Sequence, residues 1–423
     1  MTKLLLTMVT LLCASLEAQN QPVDQVVQWN KLLLTIVRTP GAQPATIHPT
    51  RSFAIMHTAI YDAVNSIDGK HTPYFIQIPG VSPLASQEAA AAAAAHEVLS
   101  ILYPSFQATL DAQLQQSMAQ ISTGDKAAGV TVGQTVADRI LELRSNDGSN
   151  AQPPTFVFGN TPGGYQSTPP NFPAHPQFTQ WPQVIPFALQ QANQFRPGPP
   201  PSLTSDTYTD VFNEVKAFGI VNSSAASADQ ALTGRFWNGA IQNYWNEITQ
   251  TAAERRGLTT AQNARLFALL NLALADSVIA FYDAKYTYNF WRPVTAIRAA
   301  DTDNNSATVA DPNWLPEVGN TTPDPSYPGA HAVISAAAAT ILNSFFPSHR
   351  LDFNVTSEVM PGVERSFKSF SAAASEATLS RIFAGVHFRS DLTTGQQLGR
   401  EVAHFVNDNF LTRVDQDDDS DGD

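Results

Sequence analysis

The chain has 423 residues, 43% hydrophobic and 14% charged, which supplies a substantial buried core and excludes wholesale disorder. Its 37 acidic and 24 basic residues give a formal net charge of −13. That balance excludes a general nucleic-acid or polyanion binder, so any phosphate-like ligand has to meet a local basic pocket.

In chain order, Met1 to Ala18 reads as a signal peptide: Lys3 is the positive start, Leu4 to Leu12 the apolar stretch, and Ala14, Ser15 and Ala18 the small residues around cleavage. This implies a secreted or periplasmic protein. Cys13 is the only cysteine and is lost on cleavage, which suits an oxidising compartment where a large core needs no disulfide. Lipidation of Cys13 is the alternative, but Thr10, Leu11 and Leu12 lack the small residue expected before a lipidated cysteine. No later stretch is expected to span a membrane.

Residues 19–414 read as one all-α domain. Apolar residues return every three or four positions through Val26 to Val37, Phe53 to Val64, Ala89 to Leu102, Phe106 to Ile121 and Ala127 to Leu143, predicting an N-terminal helix bundle. Residues 152–201 carry 13 of the 29 prolines together with Phe156, Phe158, Tyr165, Phe172, Phe178 and Trp181, so a long loop is expected to pack down as a cover near a cleft. Helices are then expected at Asp206 to Phe218, Ala228 to Thr249, Thr260 to about Arg292, Pro328 to Phe346, and Ser369 to Phe410 with a break near Gly385. Strand alternation is not evident anywhere. Residues 415–423 form an acidic tail, expected to be solvated.

Three clusters carry chemistry. Lys285 and Arg292 are seven positions apart, nearly eclipsed if the helix continues, and combine a mobile point charge with a planar fork suited to a tetrahedral oxyanion. Pro328, Gly329, Ala330 and His331 run into a helix start, where unpaired N–H groups and the dipole favour an anion and His331 can serve as acid or base. Arg381, His387 and Asp391 form the third: a carboxylate four residues on can hold one imidazole nitrogen and leave the other free as a ligand or nucleophile. Taken singly, each is also compatible with surface cations, a capping histidine or an ordinary ion pair.

Together, in order and spacing, the clusters resemble the Lys-x6-Arg-Pro, Pro-Ser-Gly-His and Ser-Arg-x5-His-x3-Asp motifs of the vanadium-dependent haloperoxidase and type 2 phosphatidic acid phosphatase superfamily. The resemblance to its bacterial haloperoxidase-like branch runs from about Asp229 to Val406. It implies a helical bundle of the haloperoxidase and acid phosphatase type, with vanadate as cofactor. Lys285, Arg292 and Arg381, with the Gly329 and Ala330 segment, would hold the vanadate oxygens; His387 would be the metal ligand, supported by Asp391; His331 would be the acid–base residue. Hydrogen peroxide and a halide would be the substrates, with an organic acceptor downstream, and no nucleic acid is expected; a homo-oligomer is left open. One departure stands out: the usual Ser-Gly pair before the motif histidine is Gly329-Ala330, so one hydroxyl donor is missing, worth about 1.5–3 kcal/mol if nothing replaces it. A soluble phosphatase working through a phosphohistidine on His387, and a non-catalytic oxyanion binder, are the competing readings.

Overall fold

The computed structural model describes residues 24–346 and 351–414, so the signal peptide and acidic tail lie outside the described residues. The chain forms helices α1 (Gln25–Arg38), α2 (Pro49–Asp68), α3 (Gln87–Leu102), α4 (Gln107–Gln120), α5 (Lys126–Arg144), α6 (Asp206–Phe218), α7 (Ala228–Phe236), α8 (Ile241–Arg256) and α9 (Thr260–Tyr288). These are followed by α10 (Pro293–Arg298), α11 (Ala330–Phe345), α12 (Phe370–Phe383) and α13 (Arg389–Asn409). Local chemistry sets the ends. Asp24 accepts from the Val26 and Val27 N–H groups to start α1, Pro49 opens α2, and Thr259 with Gln262 makes a reciprocal capping box on α9.

Helix α9 is the central element. It packs on α2 from the N-terminal group and on α11 and α13 from the C-terminal group. Contrary to the sequence expectation, α9 is long and apolar enough to cross a membrane, yet 94% of its most apolar window is buried inside the protein. A helix hydrophobic on most of its faces suits the centre of a large core. Helices α11 and α13 approach closely because α13 carries glycines where α11 passes: a β-carbon on Gly395 would lie 2.8 Å from the Gly329 carbonyl, and one on Gly399 would collide with the Val333 carbonyl.

The expected helices are interrupted at three places, two of them not foreseen from the apolar pattern. The stretch from Ala228 to Thr249 is split at residues 237–240 into α7 and α8. Helix α9 stops at Tyr288, because Asn289 turns left-handed with φ 46°. The third break falls where expected: α12 ends at Phe383 and Gly385 takes φ 78°, a conformation that favours glycine. The expectation of no strands is corrected by a short antiparallel hairpin, β1 (Phe353–Thr356) with β2 (Glu364–Phe367), whose four-residue strands are too brief to show alternation.

Residues 152–201 contain a single 3-10 turn, Trp181–Gln183, and are pinned along α9 by side chains. Asp276 takes the backbone N–H groups of Phe187, Ala188 and Leu189 at 2.6–2.7 Å. Arg196 forms a fork on Asp283 at 2.6 and 2.7 Å, and the Tyr286 and Tyr288 hydroxyls donate to the carbonyls of Gln177 and Pro197. Buried backbone that lacks a helix or sheet partner is thus satisfied one group at a time.

Candidate active site

The site forms where the end of α9, the loop before α11 and the α12–α13 turn meet. Lys285 reaches it from the last turn of α9. Arg292 does not share that helix, as the sequence spacing suggested; the left-handed Asn289 turns the chain first, and Arg292 caps α10. Both cations nevertheless converge, because each binds the buried carboxylate Asp324. Lys285 Nζ lies 3.1 Å from Asp324 Oδ1, and Arg292 Nη2 donates to the same oxygen.

Most of the other donors of this pair are also engaged. Lys285 donates to the carbonyls of Pro325 and Ser326. Arg292 Nε donates to the Asp324 carbonyl at 2.8 Å, and Nη1 to the Val386 carbonyl at 2.9 Å. Nη1 also faces His387 Nε2 at 3.1 Å. Burial pushes the Lys285 ammonium down to about 8, against the pull of Asp324. For Asp324 burial acts upward, but Lys285 and Arg292 outweigh it and hold the carboxyl below its ordinary range.

His387 and Asp391 are also not on one helical face. His387 precedes α13, and Asp391 lies in its first turn, where its Oδ2 caps the helix by accepting the Phe388 N–H at 3.0 Å. The same oxygen accepts from Ser326 Oγ at 2.6 Å and from His387 Nδ1 at 3.1 Å. With Nδ1 donating to a carboxylate and Nε2 facing an arginine donor, the imidazole is neutral with its lone pair on Nε2. Burial, then Arg292, Lys285, Arg381 and His331, hold its pKa well below the usual value. Burial pushes the Asp391 carboxyl up to about 6.

Arg381, near the end of α12, is buried; its Nη1 donates to Asn238 Oδ1 at 3.2 Å, while its Nε has no protein partner. It lines a cavity of about 370 Å³ with Asn238, Thr168, Asn171, Thr321 and Val386, so the Pro-rich segment supplies part of the wall. His331, in the first turn of α11, is half-buried, and its Nε2 lies 2.9 Å from the Trp237 carbonyl. A carbonyl only accepts, so Nε2 carries the hydrogen and Nδ1 is the basic nitrogen. Burial first, then Arg381, keeps this ring neutral.

Gly329 takes φ −77° and ψ 113°, which any residue can adopt. The expectation that its N–H faces an anion is corrected: it donates to the Asp391 carbonyl at 3.0 Å, tying α11 to α13. Ala330 follows as the first residue of α11. Five of the expected residues, Lys285, Arg292, Arg381, His387 and Asp391, thus gather with His331 in one charged region.

Sequence reasoning missed Asp324, Ser326, Gln177 and the 237–238 turn. Gln177 lies in the covering segment and donates to Asp324 Oδ2 at 3.1 Å. The one available signal for Asp324 was a carboxylate immediately before the motif segment, which also reads as an ordinary turn former.

Residues 265–416 match the family model described as the VCPO second helical-bundle domain. The chain is 23% identical over 501 aligned residues to the vanadium chloroperoxidase of Curvularia inaequalis, covering 90% of this chain and 81% of that protein. Among solved structures, one described as the first bacterial vanadium-dependent iodoperoxidase superposes with a TM-score of 0.80 at 26% identity, covering 93% of this chain and 97% of the other. A holo-type bacterial vanadium-dependent chloroperoxidase shares the fold with a TM-score of 0.67 at 17% identity, over 88% and 93% of the two chains.

Proposed function

Since the chain belongs to the vanadium-dependent haloperoxidase family, we propose that it is an enzyme that uses vanadate to oxidise a halide with hydrogen peroxide, releasing a hypohalous species. The observation that carries this reading is a pair of buried nitrogens in one cationic region: the lone-pair Nε2 of neutral His387 and the unpartnered Nε–H of Arg381. An oxyanion of a metal suits both, because the metal takes the lone pair and an oxygen takes the donor.

In this reading His387 Nε2 would hold the vanadium, and Asp391 fixes the tautomer that makes this possible. Arg381, Lys285 and Arg292 would neutralise the oxygens. Bound vanadate would supply Lewis-acid activation of hydrogen peroxide without needing to change oxidation state. His331 holds a proton at Nε2 against the Trp237 carbonyl, so its other nitrogen, Nδ1, would be the one able to accept a proton from the peroxide. Residue 329 contributes neither a hydroxyl nor a free N–H. Weaker polarisation of the oxyanion follows, and iodide or bromide is oxidised more readily than chloride.

We also propose export, with the mature chain beginning soon after the Ala14 to Ala18 region; mass spectrometry of native material that finds an intact Met1 or a lipid on Cys13 would contradict it. For the activity, purified vanadate-free protein is assayed with and without added vanadate for peroxide-dependent halogenation and for phosphate-ester hydrolysis. Halogenation only with vanadate is expected. Ester hydrolysis by the vanadate-free protein with no halogenation in either sample would replace this reading by a phosphatase, and oxyanion binding with neither activity would leave a binding protein.

A further inference from the structure

We propose that Asp324 is a built-in rival of the oxyanion: it occupies Lys285 and Arg292 in the folded chain, and an incoming vanadate or phosphate must take those cations from it. The inference rests on the oxyanion reading of the site. Lys285 donates to Asp324 Oδ1 and to two backbone carbonyls. Arg292 directs four of its N–H groups to the Asp324 carbonyl and carboxylate, the Val386 carbonyl and His387 Nε2. Of these direct acceptors only the Asp324 carboxylate is charged, so it cancels most directly the field an anion would feel, with Asp391 acting on Lys285 from farther away.

The carboxylate is itself held in place. Gln177 Nε2 donates to Oδ2 at 3.1 Å, the Gln177 N–H donates to the Pro323 carbonyl at 2.8 Å, and the Asp324 side chain is only 4% exposed. Held in this buried position, Asp324 carries its charge beside Lys285 and Arg292, so an oxyanion that shares those cations meets either a like charge or the cost of protonating the carboxylate. Two like charges in a buried setting repel strongly. Asp324 therefore sets how tightly this site loads, and Arg381, whose Nε is free, becomes the first cation an arriving anion can use.

The test compares the full-length, vanadate-free wild type with Asp324→Asn, Asp324→Ser and Asp324→Glu, using calorimetric titration with orthovanadate and with inorganic phosphate. A melting transition checks that each variant is folded. Asparagine keeps an oxygen for Lys285 and Arg292 but removes the charge. Both neutral variants are expected to bind the two oxyanions tighter by about tenfold or more, while the charge-retaining Asp324→Glu stays within a few-fold of wild type. A folded neutral variant that binds vanadate no more tightly than wild type overturns the inference and leaves the site reading intact. If neither neutral variant folds, Asp324 is a structural counter-ion and the inference also falls. No oxyanion binding by any of the four proteins would instead remove the oxyanion site itself.

Discussion

Replacing Asp391 by asparagine separates the charge behind His387 from the geometry that holds it. Asp391 Oδ2 accepts from Ser326, Phe388 and His387, whereas its buried Oδ1 has no partner. An asparagine oxygen at the Oδ2 position keeps all three hydrogen bonds as neutral ones, about half as strong as charge-assisted bonds. Its amide nitrogen then sits where Oδ1 was unpaired, a buried donor costing about 1–3 kcal/mol. Against this, the variant removes a buried carboxylate whose pKa burial has already pushed up to about 6, so the net change in stability should stay within about 2 kcal/mol. Affinity should respond more, because Nε2 loses the basicity that a carboxylate on Nδ1 confers. Losing such a supporting partner typically weakens metal binding about 10–100-fold. Titration of vanadate into vanadate-free protein at pH 8, where wild-type Asp391 is ionised, reads this directly alongside the melting temperature. An affinity equal to wild type in a folded Asp391→Asn variant would refute the argument that Asp391 tunes His387.

His387→Ala should abolish vanadate binding and halogenation together, and stoichiometric binding in that variant would exclude His387 as the ligand. His331→Ala should still bind vanadate but lose a factor of about 10²–10⁴ in turnover, measured under saturating peroxide. Gly329→Ser is sterically hindered although its backbone angles permit serine, because the new β-carbon would lie 2.8 Å from Leu392 Cδ2. Alone it should lower stability by about 1–3 kcal/mol, and only with Leu392→Ala beside it should vanadate affinity rise above that of Leu392→Ala; no rise would show that residue 329 does not limit the site. His57 is buried, stacked on Phe267, and pushed down to about 3 by burial. Its folded value lies below its unfolded one, so the stability it contributes is present above about pH 6.5 and lost as pH falls toward 3. His57→Gln should be less stable than wild type at pH 8, with the gap shrinking by about 3 kcal/mol by pH 4 in denaturant titrations.

The positions of the long helices and the three cationic or imidazole clusters were legible because each leaves a local trace: apolar periodicity, a Pro or Gly boundary, or basic and imidazole residues in an apolar setting. What the sequence hid was how the clusters are joined. Lys285 and Arg292 meet through a left-handed residue and a shared carboxylate rather than along one helix, and a single Asn289 gives no periodic signal of that turn. His387 and Asp391 touch because a helix begins between them, so a spacing of four coincided with the right contact by the wrong geometry. The Trp237 carbonyl that fixes the His331 tautomer is backbone, and no side-chain pattern can announce it. Asp324, flanked by Pro323 and Pro325, looks in sequence like any turn former.

The segment draped along α9 also changes what an amide-exchange experiment should find. Phe187, Ala188 and Leu189 belong to no helix or strand, yet their N–H groups end on Asp276, which is itself fully buried on the central helix. Releasing those hydrogens to solvent requires pulling the strap off α9, not fraying a loop. These three amides should therefore exchange with deuterium on the timescale of the α9 core, while the exposed stretch around Val157 exchanges at once. A map of protection along residues 152–201 would trace the buried acceptors beneath, Asp276 and the carbonyls of Asn289, Pro323 and Asp147, rather than any helix or strand.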